Sequence, residues 1–183
     1  MKYYLTNETI QVHGVTLRRI VAAKSFSDVT VGDIGGWIEK ENNLSHEGDS
    51  WIYNHSKVYG NARVSGNAKL SGNAWVRDNA QVFGDACLLN NTLIIDNAQV
   101  YGYACLLNNV CVGGSAKVCG LATLTDDVWV YGTAIITDKA SLSNDVIVAG
   151  DAFVGGSTKY IKCMRDFGPS RSEYTLSVTI TDS

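Results

Sequence analysis

The chain has 183 residues, a formal net charge of −3, 45% hydrophobic residues and only 18% charged ones. That length suits one domain with small appendages, and the abundant Val, Ile, Leu and Ala exclude a disordered chain. The mild negative charge argues against nucleic-acid binding through a basic face, and no apolar run is long enough for a membrane-spanning helix.

The stretch Met1–Glu8 has no apolar h-region, so no signal peptide is expected. Five cysteines, an odd number without CxxC spacing, fit reduced thiols in a cytoplasm better than a disulfide framework or a zinc site. Residues 1–33 are predicted as an N-terminal β cap. Tyr3-Tyr4-Leu5, Thr9-Ile10-Gln11-Val12 and Val15-Thr16-Leu17 read as short strands around a turn at His13-Gly14.

From Ile52 the sequence becomes periodic. Stepping by six residues reaches Val154 through eighteen positions, every one Val, Ile or Leu, with no interruption. Two residues after each of them stands Gly, Asn or Asp, the types that enter positive φ most cheaply. Four residues after comes a small or β-branched residue, such as Ala62, Ala68, Thr92 or Val110. A unit such as Val58-Tyr59-Gly60-Asn61-Ala62-Arg63 therefore reads as a short strand, with alternating sides, followed by a tight corner. Ten of the 18 glycines fall in the corner column, and the lone proline, Pro169, lies outside the repeat. Proline is excluded because a stacked ladder needs each N–H. Before Ile52 the pattern decays: Gly36, Asn42 and Gly48 keep the corner column, while Ile34, Lys40 and His46 take the aliphatic one. Residues 34–51 are read as an imperfect first coil.

These three columns resemble the hexapeptide-repeat, left-handed parallel β-helix family, including short bacterial and prophage members without clear catalytic loops. The resemblance implies an all-β triangular prism of three hexads per coil. Residues 34–159 would then form about seven coils, roughly 34 Å long at about 4.8 Å per coil. Solenoid ends need caps. Residues 160–183 are predicted as a C-terminal β segment, with strands Tyr160–Met164 and Tyr174–Ile180 around Gly168-Pro169-Ser170.

With residues eighteen apart stacked, one face is centred on Val58, Val76, Ile94, Val112, Val130 and Val148. Its outward flanks are Lys57/Tyr59, Trp75/Arg77, Leu93/Ile95, Cys111/Gly113, Trp129/Tyr131 and Ile147/Ala149, almost all apolar. Such a patch marks a contact surface. Tyr59, Trp75, Leu93, Ile95, Cys111, Trp129, Tyr131 and Ile147 are the expected interface of a homotrimer, the assembly that family members commonly form. Coverage by the chain's own terminal segments is the alternative. One corner carries a ladder, Asn54-His55, Gly72-Asn73, Asn90-Asn91, Asn108-Asn109, Asp126-Asp127 and Asn144-Asp145, that stacked amides explain without a metal.

The best-known relatives implied by the resemblance are acyltransferases, with a histidine base near a subunit interface and an acyl-CoA or acyl carrier donor. Here His13 lies in the cap turn and His46 in the decayed coil. His55, at a corner, is the only candidate base. The hexads carry no inserted loop to wall an acceptor pocket. The three-histidine zinc set of a γ-class carbonic anhydrase, the Thr-x-Thr columns of an ice-binding face and phosphate-cradling glycine motifs are all missing. The expectation is a non-catalytic β-helix without metal or cofactor. It would bind a host or phage protein, or a small ligand, through its apolar face or a subunit interface. An acyl-CoA-dependent enzyme using His55 is the alternative.

Overall fold

The corner column decides the architecture. In the computed structural model, which describes residues 1–156, all eighteen corner residues from Asn54 to Gly156 have φ between 55° and 76°. Each turn is tight enough to pass the chain to the next face after only a two- or three-residue strand. At Gly66 the requirement is also steric: an added Cβ would meet the backbone N and O of Gly84 at 2.9 Å.

Two strands open the chain, β1 (Tyr3–Val12) and β2 (Val15–Ala22), followed by β3 (Ile34–Ile38) and a short 3-10 turn at Glu41–Asn43. The remaining strands stack in parallel into three sheets. The first sheet runs β1-β2-β3 and then through Lys57–Val58, Trp75–Val76, Leu93–Ile94, Cys111–Val112, Trp129–Val130 and Ile147–Val148. The second climbs from Trp51–Ile52 to Ser141–Leu142, and the third from Arg63–Val64 to Phe153–Val154. Residues eighteen apart are register partners, as Ile94 with Val112 and Leu106 with Leu124. This is a parallel β-solenoid of about seven turns. Its interior is a column of aliphatic and alanine side chains, most of them fully buried. Backbone N–H groups donate from coil to coil even at corners, as Asn61 to Asp78 at 2.6 Å, so a proline would remove an axial bond.

The first coil departs from the expected register. Ile38 pairs with Val58 and Leu44 with Val64, each twenty residues apart, before Ile52 and Leu70 restore the spacing of eighteen. The inward positions are therefore Ile38 and Leu44, both buried, and not Lys40 and His46. Ile34 is exposed, Gly36 lies within β3, and Asn42 lies in the 3-10 turn; only Gly48 keeps its corner, at φ 67°. The physical reason is that an inward position must be apolar. Two extra residues between Leu44 and Ile52 absorb the offset.

β1 and β2 form an antiparallel hairpin turning at His13 (φ 49°) and Gly14 (φ 80°), with an irregularity between Leu5 and Thr9. β2 then pairs antiparallel with β3, so the hairpin continues the first sheet beyond the solenoid's N-terminal end. Its inner side plugs the core: Tyr3, Ile20 and Ala22 join Val29, Leu44 and Trp51. The Tyr3 hydroxyl donates to the carbonyl of Leu44 at 2.8 Å. Lys2 Nζ donates to the Ser50 carbonyl at 2.8 Å and to Ser50 Oγ at 3.1 Å. Its outer side forms a second small core, in which Leu17, Trp37 and Tyr59 are buried against Ile10, Val12, Val15 and Trp75. The expected strands of residues 160–183 lie outside the described residues.

Candidate functional site

Three places hold the residues singled out by sequence. The first is the outer side of the first sheet, which the structure divides. Next to the hairpin, Tyr59 is only 6% exposed, and its hydroxyl lies 3.2 Å from His13 Nδ1. Trp75 is half-buried, edge-on to Tyr59, tilted against the His13 ring, with the Lys57 ammonium 4.9 Å above its own ring. Tyr59 is thus covered by the chain's own hairpin and does not belong to the open patch. Cover by the chain's own terminal segments, the alternative weighed from sequence, holds for this half, and the alternation Ile10, Val12, Val15, Leu17 carried the signal of an apolar outer hairpin side.

Farther along the same sheet the surface is open. Trp129 is 44% and Ile147 38% exposed, with Leu93, Ile95 and Tyr131 half-exposed beside them. Cys111 is buried, because Tyr131 folds across the side-chain-free surface of Gly113 and brings its hydroxyl 3.0 Å from Cys111 Sγ. Burial pushes the Cys111 thiol up and holds the Tyr131 hydroxyl well above its ordinary value, so both stay protonated at neutral pH. The patch that sequence drew as one surface is therefore a covered half and an open half.

The second place is the amide corner. Asn73 donates to Asn91, Asn91 to Asn109 and Asn109 to Asp127, at 3.3, 3.1 and 3.1 Å. Beside it, Asn90 donates to Asn108 and Asn108 to Asp126, both at 2.9 Å. The two ladders line an open cleft of about 460 Å3. Asp126 and Asp127 serve as their terminal acceptors, and Asn144 turns aside to bond Ser143. A further ladder, Asn61 to Asn79 to Asn97, occupies a second corner. Among the described residues no group of three or more His, Cys, Asp or Glu is placed to hold a metal ion.

The third place is His55. It is exposed, in an open cleft of about 440 Å3 shared with Arg19, Asn54 and Asn73. Arg19 lies over the Trp37 ring at 4.4 Å and donates to the Asn54 carbonyl at 3.0 Å. Among the described residues no side chain orients the His55 imidazole; its backbone is engaged, the N–H donating to the Gly72 carbonyl at 3.1 Å and the carbonyl accepting from Lys57 Nζ at 2.9 Å. His46 is committed elsewhere, stacked on Tyr3 at 4.3 Å and accepting the Lys2 backbone N–H at Nδ1.

Parallel sheets stacked at an eighteen-residue repeat, with a corner residue at positive φ in every hexad from Ile52 on, make a parallel β-solenoid consistent with a hexapeptide-repeat β-helix. No family model matches the chain. The chain is similar to the uncharacterized acetyltransferase YdcK of Escherichia coli (strain K12), with 48% identity over 42 residues. That match covers 23% of this chain and 13% of the E. coli protein, so the chain spans a small part of that relative's length. No helix among the described residues is long and apolar enough to cross a membrane.

Proposed function

We propose that this β-helix is a non-catalytic, cytoplasmic interaction module that assembles as a homotrimer through the open half of its first sheet. The observation that carries this reading is the exposure of Trp129 and Ile147 on the same outer face whose other half the hairpin covers. A large aromatic ring in water beside other apolar side chains is what a partner surface gains most from burying. A contact of standard size, on the order of 800 Å2 per partner, is within reach of that face. A host or phage protein, or a small ligand, would then be held on the assembled trimer. Light scattering tests the assembly: the expected mass is three chains. A monomeric protein sinks the trimer.

A second reading is an acyltransferase-like enzyme with an acyl-CoA donor and His55 as general base at an interchain site. The similarity to the E. coli acetyltransferase supports it, as does the cleft that His55 shares with Arg19. Under this reading acetyl-CoA raises the melting temperature and His55→Ala abolishes turnover. Tight acetyl-CoA binding that His55→Ala weakens would overturn the non-catalytic reading; no thermal shift and no turnover would overturn this one.

A further inference from the structure

Cys87 and Cys105 belong to none of these places. They are register partners in adjacent strands of the second sheet, Cys87–Leu89 and Cys105–Leu107, one coil apart. Both thiols are free and half-exposed, and they interact side chain to side chain. Lys69 is the next residue down the same column, its ammonium held by Asp28 at 2.5 Å.

The spacing of this pair is set by the backbone. Cys87 N donates to the Ala104 carbonyl and Cys105 N to the Ala122 carbonyl, each at 2.9 Å, which locks neighbouring coils at the sheet spacing of about 4.8 Å. A disulfide needs sulfurs about 2.05 Å apart and Cβ atoms about 3.5–4.5 Å apart, so it would have to pull the coils together. A two-coordinate ion placed between two thiolates spans a wider sulfur–sulfur gap than a disulfide does, so stacked thiols can hold one without drawing the coils together. Thiolates select soft ions, Cu(I) foremost.

We propose that Cys87 and Cys105 form a two-coordinate site for a soft monovalent ion of the Cu(I) type. Binding forms two metal–sulfur bonds, releases one proton from each thiol, and transfers no electron. The bis-thiolate unit carries a net charge of −1, and the Lys69 ammonium one coil below is already paired with Asp28. The ion must displace a proton from each thiol, so its affinity rises with pH. The other described thiols stand apart: Cys111 faces the Tyr131 hydroxyl on the first sheet, and Cys119 bonds Thr137 on the third.

The test is an anaerobic titration of the full chain against Cu(I) held by a chromophoric chelator, with Cys163→Ser throughout because that residue lies outside the described ones. The expected result is one ion withdrawn per chain, lost in Cys87→Ser and in Cys105→Ser and kept in Cys111→Ser. X-ray absorption of the loaded Cys163→Ser protein should read two sulfur neighbours, a readout that needs no further variant to fold. No withdrawal, unchanged withdrawal by Cys87→Ser, or a first shell other than two sulfurs would overturn the site.

Discussion

At the scale of single residues, the corner column is where sequence and structure agree most closely. Positive φ is a local demand, met by the residue itself, and so it is legible as Gly, Asn or Asp without knowing any neighbour. What the letters do not disclose is which corners also lack room. Gly66 has none, so Gly66→Ala should lower stability by about 1–3 kcal/mol in urea melts, from left-handed strain and from the approach of Gly84. Asp78→Gly, at a corner that already carries a side chain, should change stability far less. Lys2 makes a different prediction. Burial pushes its ammonium down to about 8 from the ordinary lysine value near 10.5. The folded chain therefore gives up this proton before the unfolded chain does. Below pH 8 both states hold the proton and the burial penalty is fully present; from pH 8 to about 10.5 the unfolded state holds more protons, and stability rises with pH. Urea melts of the wild type and Lys2→Met across that range should show the gain only in the wild type.

At the scale of elements, sequence reasoning located the hairpin and expected it as the N-terminal cap, but carried cover of the apolar face by terminal segments only as the alternative. Its turn at His13-Gly14 is a local signal, whereas its docking depends on Trp37 and Tyr59 on other strands. Leu17 is fully buried in that small core, so Leu17→Ala should cost about 2–5 kcal/mol and raise the solvent exposure of Trp75, read by tryptophan fluorescence quenching. The first coil was misread for a related reason. Its turn-forming residues Gly36 and Asn42 suggested a register of eighteen, but burial of Ile38 and Leu44 outweighs corner chemistry wherever the two compete. The hexad spacing between Ile38 and Leu44 was present in the sequence, hidden by the two extra residues that follow. The loop between β2 and β3 is tied down by Asp28, which accepts from Lys69 and from the Tyr53 hydroxyl and is held down at about 2 by those bonds. Its anchoring is complete above the usual carboxylate range near pH 4 and is lost as pH falls toward 2. Hydrogen exchange over residues 23–33 should rise in that window, and Asp28→Asn should show the raised exchange already at neutral pH.

At the scale of the whole molecule, each coil touches only the coils above and below it, and one face carries a continuous apolar stripe that changes from covered to open along its length. If the open half is the subunit contact, Trp129→Lys should shift the light-scattering mass from three chains to one, while Lys117→Glu, on the third sheet, should leave it unchanged. The overall shape was legible because the three six-residue columns resemble the hexapeptide-repeat β-helix family, and that resemblance implies coils of three hexads. The division of the stripe was not, because it depends on a segment more than forty residues away from the surface it covers. The eighteen-residue register also bears on how such a gene can change. Removing eighteen residues from the middle of the repeat brings chemically matching coils together and shortens the rod by one step, with each downstream side chain still on its own face. Removing six turns every downstream residue onto the next face, carrying Trp129 away from the stripe. Recombination between coils therefore tunes length in whole turns and is filtered against thirds of a turn, which makes the molecule a ruler whose graduations are inherited.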